Sequence, residues 1–201
     1  MVAILRRAWS GEKLNFAGKR FRVGDFRITP VPPHPPRILI GGMTEPAIER
    51  AARIGDGFLS TGNIGQELYV NAIAKLGKAK AGRIFAGNWT IVTEDPEREL
   101  ARVGPHVLYQ SNEYIKWGAF GPPDQVPLFP DAASAVANGL CRIMDVETAV
   151  KSLTDLLLQY PQIEDVHFWA QFPGEPLASG QRRLELLAGK VLPRVRAALD
   201  T

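Results

Sequence analysis

The chain has 201 residues, 24 Lys+Arg against 21 Asp+Glu, a formal net charge of +3 and 45% hydrophobic residues. That balance describes a globular chain able to bury its own core, and it excludes a disordered tail. One cysteine, Cys141, excludes an internal disulfide and a cysteine-only zinc site, and His34, His106 and His167 are too scattered for a metal cluster.

Basic residues are spread out and mostly sit beside acids, as in Glu49-Arg50, so no nucleic-acid surface is expected. No apolar run reaches the roughly 18 residues of a membrane span, and Met1–Arg7 lacks the apolar core of a signal peptide. A cytoplasmic setting and no membrane partner are the expectation.

Ile4, Leu5, Ala8 and Trp9 share one face of a helix that ends at Ser10-Gly11. Phe16 to Val23 reads as a short hairpin. Pro30, Pro32, Pro33, Pro35 and Pro36 mark a rigid, extended connector. Arg37 to Gly41 is an apolar run expected as a strand buried on both faces. Thr44 to Ile54 is an amphipathic helix with Ile48, Ala51, Ala52 and Ile54 inward. Gly55-Asp56-Gly57 turns the chain into a second strand, Phe58–Thr61.

A long helix is expected over Ile64–Lys80, ended by Gly82, and a third strand over Ile84–Thr93. Asp95-Pro96 opens another helix, which Pro105 is expected to kink or break. Residues 118–138 are loop-rich and read as an insertion. Asp145 caps a helix over Val146–Tyr160. Asp165–Phe172 is a fourth strand, and Leu177–Leu199 a long closing helix. Strand and helix alternate four times, which predicts an α/β fold with a parallel sheet. A whole eight-fold barrel needs roughly 250 residues, so four such units suit a small open sheet or half a barrel.

The sharpest local feature is Gly41-Gly42-Met43-Thr44, between a buried strand and a helix. Two glycines allow close backbone approach, and the helix N-terminus offers N–H groups to a phosphate. A plain glycine turn with Thr44 as helix cap remains the alternative. Other polar residues follow strand ends: Ser60, Thr61, Gly62 and Asn63 after the second, Asn88 and Trp89 within the third, Trp169 and Gln171 on or after the fourth. In parallel α/β folds ligands sit at the C-terminal ends of strands. His167 is read as facing opposite to Trp169, and Cys141 as a small buried apolar residue. No nucleophile elbow, catalytic triad or carboxylate pair is present in the pattern.

The order of segments resembles the luciferase-like flavin-dependent monooxygenase family. The phrases are LRRAWSGEKLNFAGKRFRV, the proline connector, ILIGGMTEPAIERAARIGDGFLST and DVHFWAQFPGEPLASGQRRLELLAGKVLPRVRAAL. The resemblance implies roughly the C-terminal half of a TIM-type (β/α)8 barrel, strands five to eight, in one domain over residues 1–201. Strands one to four are expected before Met1, and 118–138 corresponds to a variable insertion or lid.

The activity it implies is a flavin-dependent oxidoreductase that uses reduced flavin and O2 to oxygenate a small organic substrate. The cofactor is FMN, with a deazaflavin as alternative. Gly41, Gly42, Met43 and Thr44 match the family's phosphate turn, and Ser60, Thr61 and Gly62 the next strand end. Asn88, Trp89, Trp169 and Gln171 are candidate substrate-pocket residues. No catalytic acid, base or nucleophile is named. A homo-oligomer is expected. Two other readings stay open: a flavin-binding protein without turnover, and a half barrel active only when paired with another chain.

Overall fold

The computed structural model describes residues 1–62, 64–139, 141–169 and 171–200, and the backbone alone of Asn88. It divides into two compact units, Met1–Phe85 and Ala86–Thr201.

The first unit opens with α1 (Val2–Trp9), whose face carrying Ala8 is buried. A hairpin follows, β1 (Leu14–Ala17) and β2 (Arg22–Phe26), antiparallel with an irregular register between Leu14 and Phe16. The proline connector then leads to β3 (Leu39–Gly41), which pairs in parallel with β4 (Gly57–Thr61). Between them runs α2 (Glu45–Ile54), burying Ile48, Ala51 and Ala52, the three- and four-residue spacing its sequence offers. β3 is shorter than expected and only half-buried at Leu39 and Ile40, so the expectation of burial on both faces fails there.

α3 (Gln66–Lys75) stops well short of Lys80. Gly77 adopts φ +67, and its N–H donates to the Ala74 carbonyl while that of Lys78 donates to Ile73. This pair of bonds is a Schellman ending, for which glycine supplies the left-handed residue. A short 3-10 turn at Ala79–Ala81 leads into β5 (Ile84–Asn88), which joins the sheet beside β4. Phe58 stacks on Tyr69 at 5.2 Å, and both are buried in this unit, as are Leu14, Ile48, Ile73 and Ile84.

The second unit takes over within β5, and β8 (Ile163–Phe168) lies beside it. The third expected strand is divided. The chain leaves β5 at Trp89, and β6 (Thr90–Val92) pairs in parallel with β7 (Arg142–Met144), a strand the sequence reading lacked. Neighbours on β6 serve different cores, as strand alternation requires. Ile91 packs with Val103 and Val107 of α4 (Pro96–Lys116), and Val92 packs with Leu153, Leu187 and Val191.

α4 runs through Pro105 without ending, because the ring and Ala101, whose carbonyl it displaces, lie on the exposed side. Within 118–138 a short helix, α5 (Ala132–Ala137), is capped by Asp131. The Asn112 side chain clasps both backbone groups of Phe129, so the insertion is tied to α4. α6 (Val146–Gln159) is capped by Asp145, as expected.

The closing helix is α7 (Leu177–Leu186), a π turn at Leu187–Val191, and α8 (Leu192–Leu199). Pro193 lacks the N–H that would close the helix onto Gly189, and the wider π turn absorbs that gap. β8 ends at Phe168 rather than Phe172. Val166 and Phe168 pack inward while His167 is exposed. Residues two apart on a strand share a face, so His167 and Trp169 could not oppose each other within one.

Two glycines should respond with opposite signs. Neither Gly77 nor Gly189 has an atom within 4 Å of an added Cβ. Gly77→Ala forces a left-handed alanine and should cost about 1–2 kcal/mol. Gly189→Ala, in a right-handed helical turn, should stabilise by about 0.5–1 kcal/mol. Thermal melts should therefore move down for the first and up for the second, each by about 2–4 °C per kcal/mol.

Candidate functional site

In the first unit the phosphate-turn sequence leaves the end of β3. Gly42 is fixed by packing: an added Cβ would lie 2.5 Å from the Ala47 Cβ, so the turn reaches α2 only with glycine there. Gly41 is opposite Leu59 on β4. Thr44 is extended (φ −106, ψ 148), and its carbonyl accepts the N–H groups of Ala47 and Ile48, both at 3.0 Å.

The Thr44 hydroxyl makes no cap hydrogen bond. By contrast, Asp95, Asp131 and Asp145 all cap their helices through their side chains. The plain-cap reading of Thr44 therefore lacks its bond. Met43 and Thr44 are exposed. Pro46 contributes no N–H, and Glu45 places a carboxylate in the first turn.

On β4, alternation separates the candidates. Ser60 is buried with Phe58, and its Oγ donates to the Ile64 carbonyl at 3.1 Å. Thr61 is exposed on the same face as Leu59, and Gly62 takes φ +63. Asn63 lies outside the described residues.

In the second unit, two of the expected pocket residues meet. Trp89 follows β5 and Trp169 follows β8, and their rings sit edge to face at 5.2 Å. Tyr114 of α4 meets Trp89 at 5.0 Å and Trp117 at 5.5 Å. Tyr114 and Trp117 were not singled out from sequence, although their three-residue spacing places them on one helix face. Gln171 is half-buried, and its Nε2 donates to the Glu175 carbonyl at 2.6 Å. The Asn88 side chain lies outside the described atoms. His106 Nδ1 is 3.0 Å from the Pro173 carbonyl, and Tyr109 is exposed.

The loop after β8 is anchored by a buried ion cluster that no local pattern announced. The Arg183 guanidinium forks onto Glu175, Nη1 to Oε2 at 2.8 Å and Nη2 to Oε1 at 2.6 Å. The Phe172 N–H donates to Glu175 Oε2 at 2.7 Å. Glu99 accepts from both Arg102 and Arg183, and Arg102 also donates to Ser179. The cluster joins α4, the β8 loop and α7.

Burial pushes the Glu175 carboxyl up, but Arg183, the Phe172 N–H and Arg102 outweigh it and hold it below the usual range. Glu99 behaves likewise: burial raises it, and Arg102 with Arg183 brings it lower. Burial pushes the neighbouring Cys141 thiol up to about 12, so it stays protonated and inert. No set of three or more His, Cys, Asp or Glu is placed to hold a metal among the described residues. No helix among them is long and apolar enough to cross a membrane.

Glu175→Gln leaves the buried Arg183 with Glu99 as its remaining carboxylate partner and should cost about 3 kcal/mol, the low end for breaking a buried pair, read by denaturant unfolding. Because both carboxyls are depressed in the folded state, their stabilisation is complete above the ordinary glutamate range of about 4.3. It is lost as pH falls through the lower folded values. The acid-side loss of stability should therefore be shallower in Glu175→Gln than in the parent.

Residues 1–141 match the profile of the luciferase-like monooxygenase family. Among curated relatives, an F420-dependent glucose-6-phosphate dehydrogenase of Mycobacterium tuberculosis is 34% identical over 50% of this chain and 32% of its own length. An FMNH2-dependent dimethylsulfone monooxygenase of Pseudomonas fluorescens is 28% identical over 66% of this chain and 34% of its own. The chain thus spans about a third of the length of these relatives. An F420-dependent secondary alcohol dehydrogenase in complex with an F420-acetone adduct superposes on 97% of this chain, using 60% of its own. The TM-score is 0.68 at 15% identity. The α/β fold with parallel strands, expected as a partial barrel, is the fold of these structures, and the family holds both flavin- and F420-dependent oxidoreductases. With the profile matching over residues 1–141, the chain belongs to the luciferase-like monooxygenase family.

Proposed function

We propose that the chain holds the phosphate end of a flavin-type cofactor at Gly41–Thr44, as part of an oxidoreductase. The carrying observation is the exposed turn between β3 and α2 with a threonine hydroxyl not spent on capping its own helix. The cofactor is FMN, and F420 is the alternative. Support for FMN comes from the FMNH2-dependent relative, whose match extends over 66% of the chain against 50% for the F420-dependent one. The overall reaction is oxygenation of a small organic substrate, for which a reduced flavin held at Gly41–Thr44 would supply the electrons to O2.

The residues fit a phosphate with particular strengths and one opposition. Gly42 and Met43 offer backbone, and Thr44 a hydroxyl and the positive end of α2. Met43 does this without its side chain. Pro46 removes one donor, and the Glu45 carboxylate repels an anion. Thr61 and Gly62, both exposed, would line the same unit's strand end, while Ser60 is buried and bonded to Ile64. In the second unit Trp89 and Trp169 with Tyr114 offer an aromatic surface to an apolar substrate, and Gln171 is held in place by the Glu175 carbonyl.

Titration with FMN and riboflavin, followed by quenching of the four tryptophans, separates phosphate recognition from ring stacking. FMN should saturate and riboflavin bind at least about tenfold more weakly. Thr44→Val should weaken FMN about five- to tenfold, the worth of one hydrogen bond, with an unchanged melting temperature. Glu45→Gln should tighten it severalfold. Equal affinity for FMN and riboflavin, or an unaffected Thr44→Val, contradicts the proposal. Oxygen uptake that depends on an added organic substrate tests the reaction; F420 reduction without oxygen uptake would assign the chain to the dehydrogenases instead.

A further inference from the structure

The first unit contains a cavity that the cofactor site does not use. A cavity of about 750 Å³ lies at the N-terminal ends of the strands, the opposite end from the Gly41–Thr44 turn. Arg37 stands before β3, Asp56 immediately before β4 and Arg83 immediately before β5, and all three line it. Arg6 of α1, Arg53 in the last turn of α2, and Lys78 complete a ring of five cations. Asp56 is the only carboxylate among the described lining residues, and it is committed: it accepts from the Ile38 N–H at 2.8 Å and pairs with Arg6.

Two of the cations prepare the wall. The C-terminus of a helix carries partial negative charge and would repel an anion. Here the Lys78 Nζ donates to the Ala52 and Arg53 carbonyls, and Arg6 Nη2 to the Ile54 carbonyl. The end of α2 is thereby covered by positive charge. Arg37, Arg53 and Arg83 add three more, each a planar guanidinium with five N–H donors. Pro35 and Pro36 form a wall with fixed φ, which limits the reorganisation needed on binding.

We propose that this cavity binds a small molecule carrying a diphosphate or two phosphate groups. Its volume is within the range of small-molecule sites, about 300–1,000 Å³. The cations come from five separate segments around it, so a ligand that engages them needs more than one anionic group. Planar guanidinium forks match phosphate oxygens in pairs. A nucleic acid would instead want an open basic stripe along a face. The site is independent of the cofactor turn and stands whether or not FMN binds there.

Inorganic pyrophosphate is the probe, titrated into the full chain at constant ionic strength and followed by backbone amide spectra. Saturable shifts are expected at Ala52–Asp56 and Lys78–Arg83, with NaCl producing none. Arg53→Gln replaces an exposed side chain and should fold normally by circular dichroism, with affinity lowered about tenfold. Thr44→Val should bind pyrophosphate as the parent does. Sodium citrate, a tricarboxylate, should bind more weakly than pyrophosphate; equal affinity would overturn the phosphate preference. Absence of saturation, shifts confined to Gly42–Glu45, or an unchanged affinity in Arg53→Gln would overturn the site.

Discussion

A Cβ on residue 42 would come within 2.5 Å of the Ala47 Cβ. That contact fixes how the chain leaves β3 and where α2 begins. It holds the turn against the first turn of the helix and leaves Thr44 extended, with its carbonyl in the helix ladder and its hydroxyl outside it. α2 then carries Ile48, Ala51 and Ala52 into the core beside Phe58, and its far end meets Asp56, which closes back on Ile38. The two ends of α2 are dressed differently. At the start, backbone and a hydroxyl face outward. At the end, Arg6 and Lys78 cover the last carbonyls. The start of α2 thus offers N–H groups and a hydroxyl beside the Glu45 carboxylate, its end carries Arg6 and Lys78, and each is the basis of a separate binding proposal.

The second unit is organised around charge rather than close backbone approach. Glu175 has no exposed side-chain surface, and Arg183 little. A buried ion pair of this kind carries a desolvation cost, so its stabilisation is modest, but removing one partner is expensive. Its effect is positional. It holds the loop carrying Trp169, Gln171 and Phe172 to α4 and α7, and Phe172 in turn packs with Ile91, Val107 and Cys141. The ionic cluster thus anchors the loop that follows Trp169, and Tyr114 packs edge-on against Trp89.

Much of this was legible in the sequence where the signal is local. The hairpin, α2, β4, the helix opened at Asp95-Pro96 and the Asp145 cap follow from spacing, turn residues, first-turn proline and N-cap chemistry. The failures have physical reasons. Gly77 reads like any helical glycine until its left-handed φ is known. β7 has three residues and exists because β6 offers it a partner. The break at Trp89 divides a run whose β-propensity is continuous, because the pairing partner changes there. In the site, the glycine turn was visible as a motif, whereas the vacant cap at Thr44 was not. The meeting of Trp89 with Trp169 spans 80 residues of chain, and the Glu175–Arg183–Glu99 cluster joins three elements; neither leaves a periodic trace.

The proposed role of the Gly41–Thr44 turn is recognition of a cofactor phosphate. Backbone amide spectra of the chain, recorded during titration with FMN and separately with riboflavin, test it at the residues concerned. Saturable shifts are expected at Gly42, Met43, Thr44 and Glu45 with FMN that riboflavin does not reproduce. Shifts common to both compounds, or absent from these four residues while FMN binds elsewhere, would contradict it.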